Sequence, residues 1–185
     1  MNMVDVTVKK MKANLANLIT LGNISFGGAA VMATINESYS NAVLFILIAA
    51  LLDRYDGKVA RKYNLESELG KQLDSMSDII SFGVAPAILM YEVTLTDFGS
   101  LGMIVAVFYI ACGAFRLARF NVTESDGYFT GLPITAAGAI LTVSYFFSGW
   151  LSPTFFLILF PVLAILMVSN FGSIIYVGVL KQFTL

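Results

Sequence analysis

Long apolar stretches alternate with short polar connections along this chain. Six stretches stand out, over residues 14–35, 41–61, 68–93, 100–121, 132–147 and 153–180. A helix needs about 20 mostly apolar residues to cross ~30 Å of hydrocarbon, so these lengths predict six transmembrane helices. The second opens with an unbroken apolar run, residues 42–52, and the fifth is the shortest. Ahead of the first, Val4, Val8, Met11 and Leu15 fall on one helical stripe, and Lys9, Lys10 and Lys12 point elsewhere. That pattern predicts an amphipathic helix lying in the headgroup layer; a frayed end is the alternative. The expected architecture is therefore all-α and integral to a membrane. It is one domain over 1–185, with an interfacial helix over 1–13 and a six-helix bundle over 14–181. No internal repeat interrupts it, and the longest polar connection is residues 124–131.

Composition agrees. Of the 185 residues, 58% are hydrophobic and 12% charged, where an ordinary soluble domain has roughly 25% charged. A soluble fold of this size has too much surface to hide so much apolar side chain. His is absent and Cys is single. That excludes an intrachain disulfide, a Cys/His zinc site, and Ser-His-Asp or Cys-His catalysis. A net charge of −1 leaves no broad basic face, so no nucleic-acid partner is expected. Chemistry falls to carboxylates, Lys, Arg, hydroxyls or bound metal.

The charges also set the threading. Every cation falls on one side of the predicted membrane: Lys9, Lys10 and Lys12; Arg54, Lys58, Arg61, Lys62 and Lys71; Arg116 and Arg119; and Lys181. The opposite loops carry Glu37, Glu92 and Asp97 and no cation. The positive-inside rule places both termini in the cytoplasm. The basic start runs into a full-length span with no small-residue cleavage pattern, so no signal peptide is expected.

The second and third spans hold the informative residues. They read Asp53-Arg54-Tyr55-Asp56-Gly57-Lys58-Val59-Ala60-Arg61 and, after a short link, Gly70-Lys71-Gln72-Leu73-Asp74-Ser75-Met76-Ser77-Asp78. Charge near membrane depth is costly and marks function. Asp53 and Asp56, three apart, share one helix face, and Asp74 and Asp78, four apart, share another. The two helices run antiparallel through a tight connection, so four carboxylates can converge near the cytoplasmic end. Such a group needs cations, protons or basic neighbours, and its oxygen ligands suit Mg²⁺ or Mn²⁺. Gly57 and Gly70 allow close approach of a ligand or a facing backbone. Lys58, Arg61 and Lys71 can hold phosphate oxygens. Solvated caps and topology anchors are the plainer account of any one of these residues, but not of all eight at D-x2-D-G-x2-A-R-x8-G-x3-D-x3-D spacing.

That string, Asp53, Asp56, Gly57, Ala60, Arg61, Gly70, Asp74 and Asp78, resembles the signature of the CDP-alcohol phosphotransferases at every position. The resemblance implies transfer of a phosphatidyl or related phospho group from a CDP-linked donor to an acceptor hydroxyl, with release of CMP. It implies metal binding by Asp53, Asp56, Asp74 and Asp78, with Asp78 the candidate general base. It places Gly57, Ala60 and Gly70 along the cytidine diphosphate pocket, and it implies a homodimer. The chemistry is coherent on its own terms. Two divalent ions about 3.5–4 Å apart can clamp the attacked phosphoryl group and the leaving CMP. In a chain without His, an Asp must take the hydroxyl proton.

The acceptor is written elsewhere. Residues 112–121 (CGAFRLARFN) and 129–134 (FTGLPI) are similar to the branch that uses CDP-diacylglycerol and L-serine. Residues 81–87 (SFGVAPA) and 18–23 (LITLGN) point the same way. Arg116 and Arg119, three apart, can grip the serine carboxylate, with Asn121 accepting from the ammonium. The other account has both arginines snorkelling as interface anchors. Gly131-Leu132-Pro133 fits either a mobile cover or a plain helix start. Unlike many relatives of that branch, the chain follows its last predicted span with a short tail, residues 181–185, of single charge.

Glycerol 3-phosphate or an inositol phosphate is the alternative acceptor. An ion pathway through intramembrane acids is the alternative from another class, but it predicts acids scattered in depth, and these four lie toward one side. Gly27, Gly28, Ala29 and Gly138 are expected to allow close helix packing, and Cys112 to be a packing residue. Size and family resemblance suit a prokaryotic cell membrane with the active site on its cytoplasmic side.

Overall fold

Backbone in hydrocarbon has no water to bond and must satisfy itself, which favours helix. The computed structural model follows that rule. It describes residues 3–63, 67–122 and 131–169, and no strand occurs among them. The elements are α1 (Met3–Ile35), α2 (Tyr39–Tyr63), α3 (Glu68–Asp78), a π-helical segment (Ile79–Val84), α4 (Ala85–Met90), a second π-helical segment (Tyr91–Leu95) and a 3-10 turn (Thr96–Phe98). There follow α5 (Ser100–Val122), α6 (Ile134–Ser144), a 3-10 turn (Tyr145–Phe147) and α7 (Pro153–Val168). The chain divides into two compact units, Met1–Ala85 and Pro86–Leu185.

In the first unit α1 lies along α2 and also packs on α3 and the first π-helical segment. The contact stripe is small or polar: Thr20, Asn23, Gly27, Ala30 and Thr34 on α1 are buried, as are Ala42, Ile46 and Ala49 on α2. Small residues let helix backbones approach without bulky side chains between them. Gly27 shows how close: a Cβ there would run into Ser81 Oγ and press on the Ser81 backbone at 3.0–3.1 Å. Gly28 does not share that role, since a Cβ there would meet open space. The α1–α2 turn passes through Glu37 at φ 57°, a left-handed conformation unusual for a side-chain-bearing residue. Its backbone is fixed by Ser38 N–H on the Ala33 carbonyl and Glu37 N–H on that of Thr34, both at 2.9 Å.

A Ser67 N-cap starts α3: its hydroxyl accepts from Gly70 N–H at 3.0 Å. The helix then widens directly after Asp78. Ala85 N–H bonds the Ile80 carbonyl, five residues back. Pro86 supplies the cause, because it has no N–H and its ring would strike the carbonyl four residues earlier.

In the second unit α5 packs mainly on α7. Tyr109 and Phe160, both fully buried, meet edge-to-face at 5.6 Å and 70°. Gly102 brings α5 against the Leu95 carbonyl, and Gly113 admits the Ile134 side chain.

Among the described residues, three helical stretches are long and apolar enough to cross a membrane: Asn17–Ile35, Glu68–Phe98 and Ser100–Val122. This is a membrane protein. Several expected boundaries shift. α1 runs unbroken from Met3, with no break between 13 and 14. The third stretch continues to Phe98 rather than 93. The apolar helices Ile134–Phe147 and Pro153–Val168 are shorter than a full span. α7 ends where Ser169 turns extended, at ψ 149°, well before the expected 180; residues 170–185 lie outside the described residues, as does most of the 124–131 connection.

The end of α7 has a tertiary explanation. Its last carbonyls find partners off the helix: Leu132 N–H bonds Leu166 O at 2.9 Å, and Arg119 Nη1 bonds Val168 O at 3.2 Å. Gly131, at φ 82°, makes the turn possible, since a Cβ there would strike the Met167 carbonyl.

Candidate metal centre and its surroundings

Helical periodicity alone puts Asp53 and Asp56 on one face of α2, and Asp74 and Asp78 on one face of α3. The fold turns those faces toward one another. Asp53, Asp56 and Asp74 each present one carboxylate oxygen, and the three oxygens lie within 4.8 Å of one another. The Asp78 carboxyl interacts with those of Asp53, Asp74 and Asp56, and Asp53 is within hydrogen-bonding range. Their exposure is graded: Asp56 is buried at 4%, Asp53 and Asp78 are half-buried, and Asp74 is open.

Asp56 is held at both carboxylate oxygens. Its Oδ2 accepts from Thr20 Oγ1 at 2.8 Å and its Oδ1 from Gly57 N–H at 2.6 Å. One residue away on α3, Ser77 Oγ reaches the Thr20 carbonyl at 3.4 Å. At the next turn Ser81 Oγ reaches the Asn23 carbonyl at 3.2 Å. The acid faces of α2 and α3 are thus pinned to one buried stripe of α1.

The donor set fits a divalent cation. It is made of hard carboxylate oxygens alone, and those of Asp53, Asp56 and Asp74 already lie within 4.8 Å of one another. Carboxylates packed this closely repel unless positive charge joins them.

The remaining predicted residues divide into two groups. Around the acids, Gly57 contributes its N–H to Asp56, and Gly70 lies in the first turn of α3, where a Cβ would crowd Ser67 Oγ. Lys58 and Lys71 are exposed. Ala60 and Arg61 continue α2, and their side chains lie outside the described residues. In the second unit Arg116, Arg119 and Asn121 occupy the last turns of α5. Arg116 is buried at 8%. Arg119 is half-buried and tied to the end of α7. The turn at 131–133 is docked on that same helix end.

Thr20 and Asn23 had no assigned role in the sequence, although both lie in the 18–23 stretch noted there. A hydroxyl or an amide amid apolar residues carries no periodic signal. Only the packing of α1 on α2 and α3 brings them to the acids.

Known proteins share this sequence pattern. The sequence model of CDP-alcohol phosphatidyltransferases matches residues 13–180. The chain is 40% identical over 130 residues to the CDP-diacylglycerol–serine O-phosphatidyltransferase of Bacillus subtilis strain 168, covering 70% of this chain and 73% of that protein. It is 38% identical over 159 residues to the archaetidylserine synthase of Methanothermobacter thermautotrophicus, covering 84% and 67%. It is 36% identical over 163 residues to the CDP-diacylglycerol–serine O-phosphatidyltransferase of Helicobacter pylori strain 26695, covering 83% and 69%. Four aspartates brought together from two helices, at the spacing read from the sequence, and a match across both units have one explanation: the chain belongs to the CDP-alcohol phosphatidyltransferase family.

Proposed function

We propose that this chain transfers the phosphatidyl group of CDP-diacylglycerol to the hydroxyl of L-serine and releases CMP. The observation that carries the reaction class is the convergence of Asp53, Asp56 and Asp74 on one point with Asp78 beside them. The acceptor follows from the relatives, whose names agree on serine and differ on the lipid.

The serine oxygen attacks the phosphatidyl phosphorus, the phosphoanhydride bond to CMP breaks, and the hydroxyl proton passes to Asp78. Asp53, Asp56, Asp74 and Asp78 would hold two divalent ions, Mg²⁺ or Mn²⁺. When bound, these supply charge neutralisation for the diphosphate and the leaving CMP. Thr20 and Gly57 N–H fix the Asp56 carboxylate in place. Lys58, Arg61 and Lys71 take phosphate oxygens, and Gly57, Ala60 and Gly70 line the cytidine diphosphate. Arg116, Arg119 and Asn121 recognise the serine carboxylate and ammonium. Burial of Arg116 supports that role.

The proposed setting is a prokaryotic cell membrane, crossed six times, with both termini and the acids on the cytoplasmic side. The one-sided cations support this. The N-terminal residues form an interfacial helix, 1–185 works as one domain, and the working unit is a homodimer. The family match running from 13 to 180 supports the single domain.

The test is CMP release by purified protein in detergent with CDP-diacylglycerol and Mn²⁺ or Mg²⁺. Release that requires L-serine and stops with chelator supports both acceptor and metal. Release with glycerol 3-phosphate or an inositol phosphate, but not with serine, keeps the reaction class and overturns the acceptor.

A further inference from the structure

Among the described residues of the first unit, most buried polar side chains have a hydrogen-bond partner. Thr34 Oγ1 bonds the Ala30 carbonyl at 2.9 Å, the usual solution for a hydroxyl in an apolar helix. Thr20, Ser77 and Ser81 bond across to neighbouring helices. Among the described residues of this unit, the buried polar side-chain atoms without a hydrogen-bond partner are Nδ2 and Oδ1 of Asn23 and Oδ1 of Asp78.

Asn23 is fully buried, at 0% exposure. An amide left dry and unpaired costs folding free energy, and an apolar residue of the same shape would avoid that cost. Groups of this kind are held at functional sites at the expense of stability. Its position is informative. Ser77 bonds Thr20 and Ser81 bonds Asn23 on adjacent turns of the same two helices. Asp78 lies between those two serines in the chain. The serines reach the backbone carbonyls of Thr20 and Asn23, so the chain positions of Asn23 and Asp78 lie on neighbouring turns of α1 and α3, and the unit holds one amide donor and one carboxylate oxygen there, both buried and without a hydrogen-bond partner.

We propose that Asn23 is a positioning residue for Asp78: in the working site its Nδ2 donates to the buried Oδ1 of that carboxylate. The inference rests on the acid cluster being the reaction centre. A hydrogen bond to Oδ1 fixes the plane of the carboxylate, so the other oxygen has one orientation toward metal and serine hydroxyl. Such supporting bonds to metal-site carboxylates are worth about 10–100-fold in metal affinity or activity. An amide is suited to this, because it donates without adding charge to a site that already holds four acids.

The test compares Asn23→Leu and Asn23→Asp with the unaltered full chain in detergent. Leu keeps the size and removes both polar groups; Asp keeps the shape and removes the donor. For Asn23→Leu we expect kcat for serine-dependent CMP release to fall about 10–100-fold, with little change in KM for serine or CDP-diacylglycerol. Its melting temperature without metal should be unchanged or higher, while the Mn²⁺ concentration that raises the melting temperature shifts upward. Asn23→Asp should lose at least as much activity as Asn23→Leu. An unchanged kcat and Mn²⁺ response in Asn23→Leu, or a lowered melting temperature in metal-free protein, overturns the positioning role. A rise in serine KM alone makes Asn23 an acceptor contact instead, and recovery of activity in Asn23→Asp overturns the donor. If the unaltered chain releases no CMP with serine, the acceptor reading fails, while the Mn²⁺ melting response still decides the role of Asn23.

Discussion

Thr20 on α1 donates its hydroxyl to Oδ2 of Asp56 on α2 at 2.8 Å, across 36 residues of chain. The bond locks the most buried of the clustered acids to a helix whose described side chains add no acid to the site. Replacing Thr20 by Val keeps the shape and removes that donor. The Mn²⁺ concentration for half-maximal CMP release should rise about 10–100-fold, with the serine KM little altered. A Mn²⁺ titration of the variant checks this, and an unmoved midpoint would make the bond purely structural.

Asp78→Asn removes the proposed proton acceptor and keeps the size. CMP release should fall about 10²–10⁴-fold, while CDP-diacylglycerol still binds. Binding measured with labelled nucleotide-lipid, set beside the rate, separates the two; full turnover would end the base assignment.

Gly27 and Gly28 are neighbours with opposite expectations. A methyl at Gly27 strikes Ser81 Oγ and crowds the Ser81 backbone, and at Gly28 it meets nothing. Gly27→Ala should destabilise by about 1–3 kcal/mol. Gly28→Ala should be neutral or stabilising by up to ~1 kcal/mol, from helix propensity alone. Thermal unfolding in one detergent compares them directly.

Arg116→Ala should raise the serine requirement about tenfold or more, as loss of a hydrogen bond to a charged group predicts, and leave the lipid requirement nearly unchanged. Steady-state kinetics with each substrate varied in turn decides between recognition and a packing role.

The acids were legible because their information is local. Spacings of three and four set a shared face on each helix, and a short connection opposes the faces. What eluded the sequence depends on contacts between distant residues. The apolar character of the chain continues well past Val168, yet α7 stops there because Leu132 N–H and Arg119 take its final carbonyls. Gly27 and Gly28 look alike until one of them faces Ser81. The N-terminal residues join α1 without a break, since an amphipathic stripe and an apolar span share the same helical period. Pro86 was visible, but that it would widen the turn before it, rather than end the helix, depends on α1 holding Ser81 in place.

That widened turn has a further consequence. A π-helical turn takes one residue more than an α-helical turn, so it offsets the angular phase of everything after it by about 100°. The segment Ile79–Val84 begins directly after Asp78. Upstream, residues are indexed to the acids of α2 and the buried stripe of α1; downstream, they follow a separate count. The helix therefore behaves as two rulers joined at a vernier. Substitutions that retune the downstream packing leave the aspartates in register, whereas deleting a single residue from 79–84 would spend the offset and rotate one half against the other.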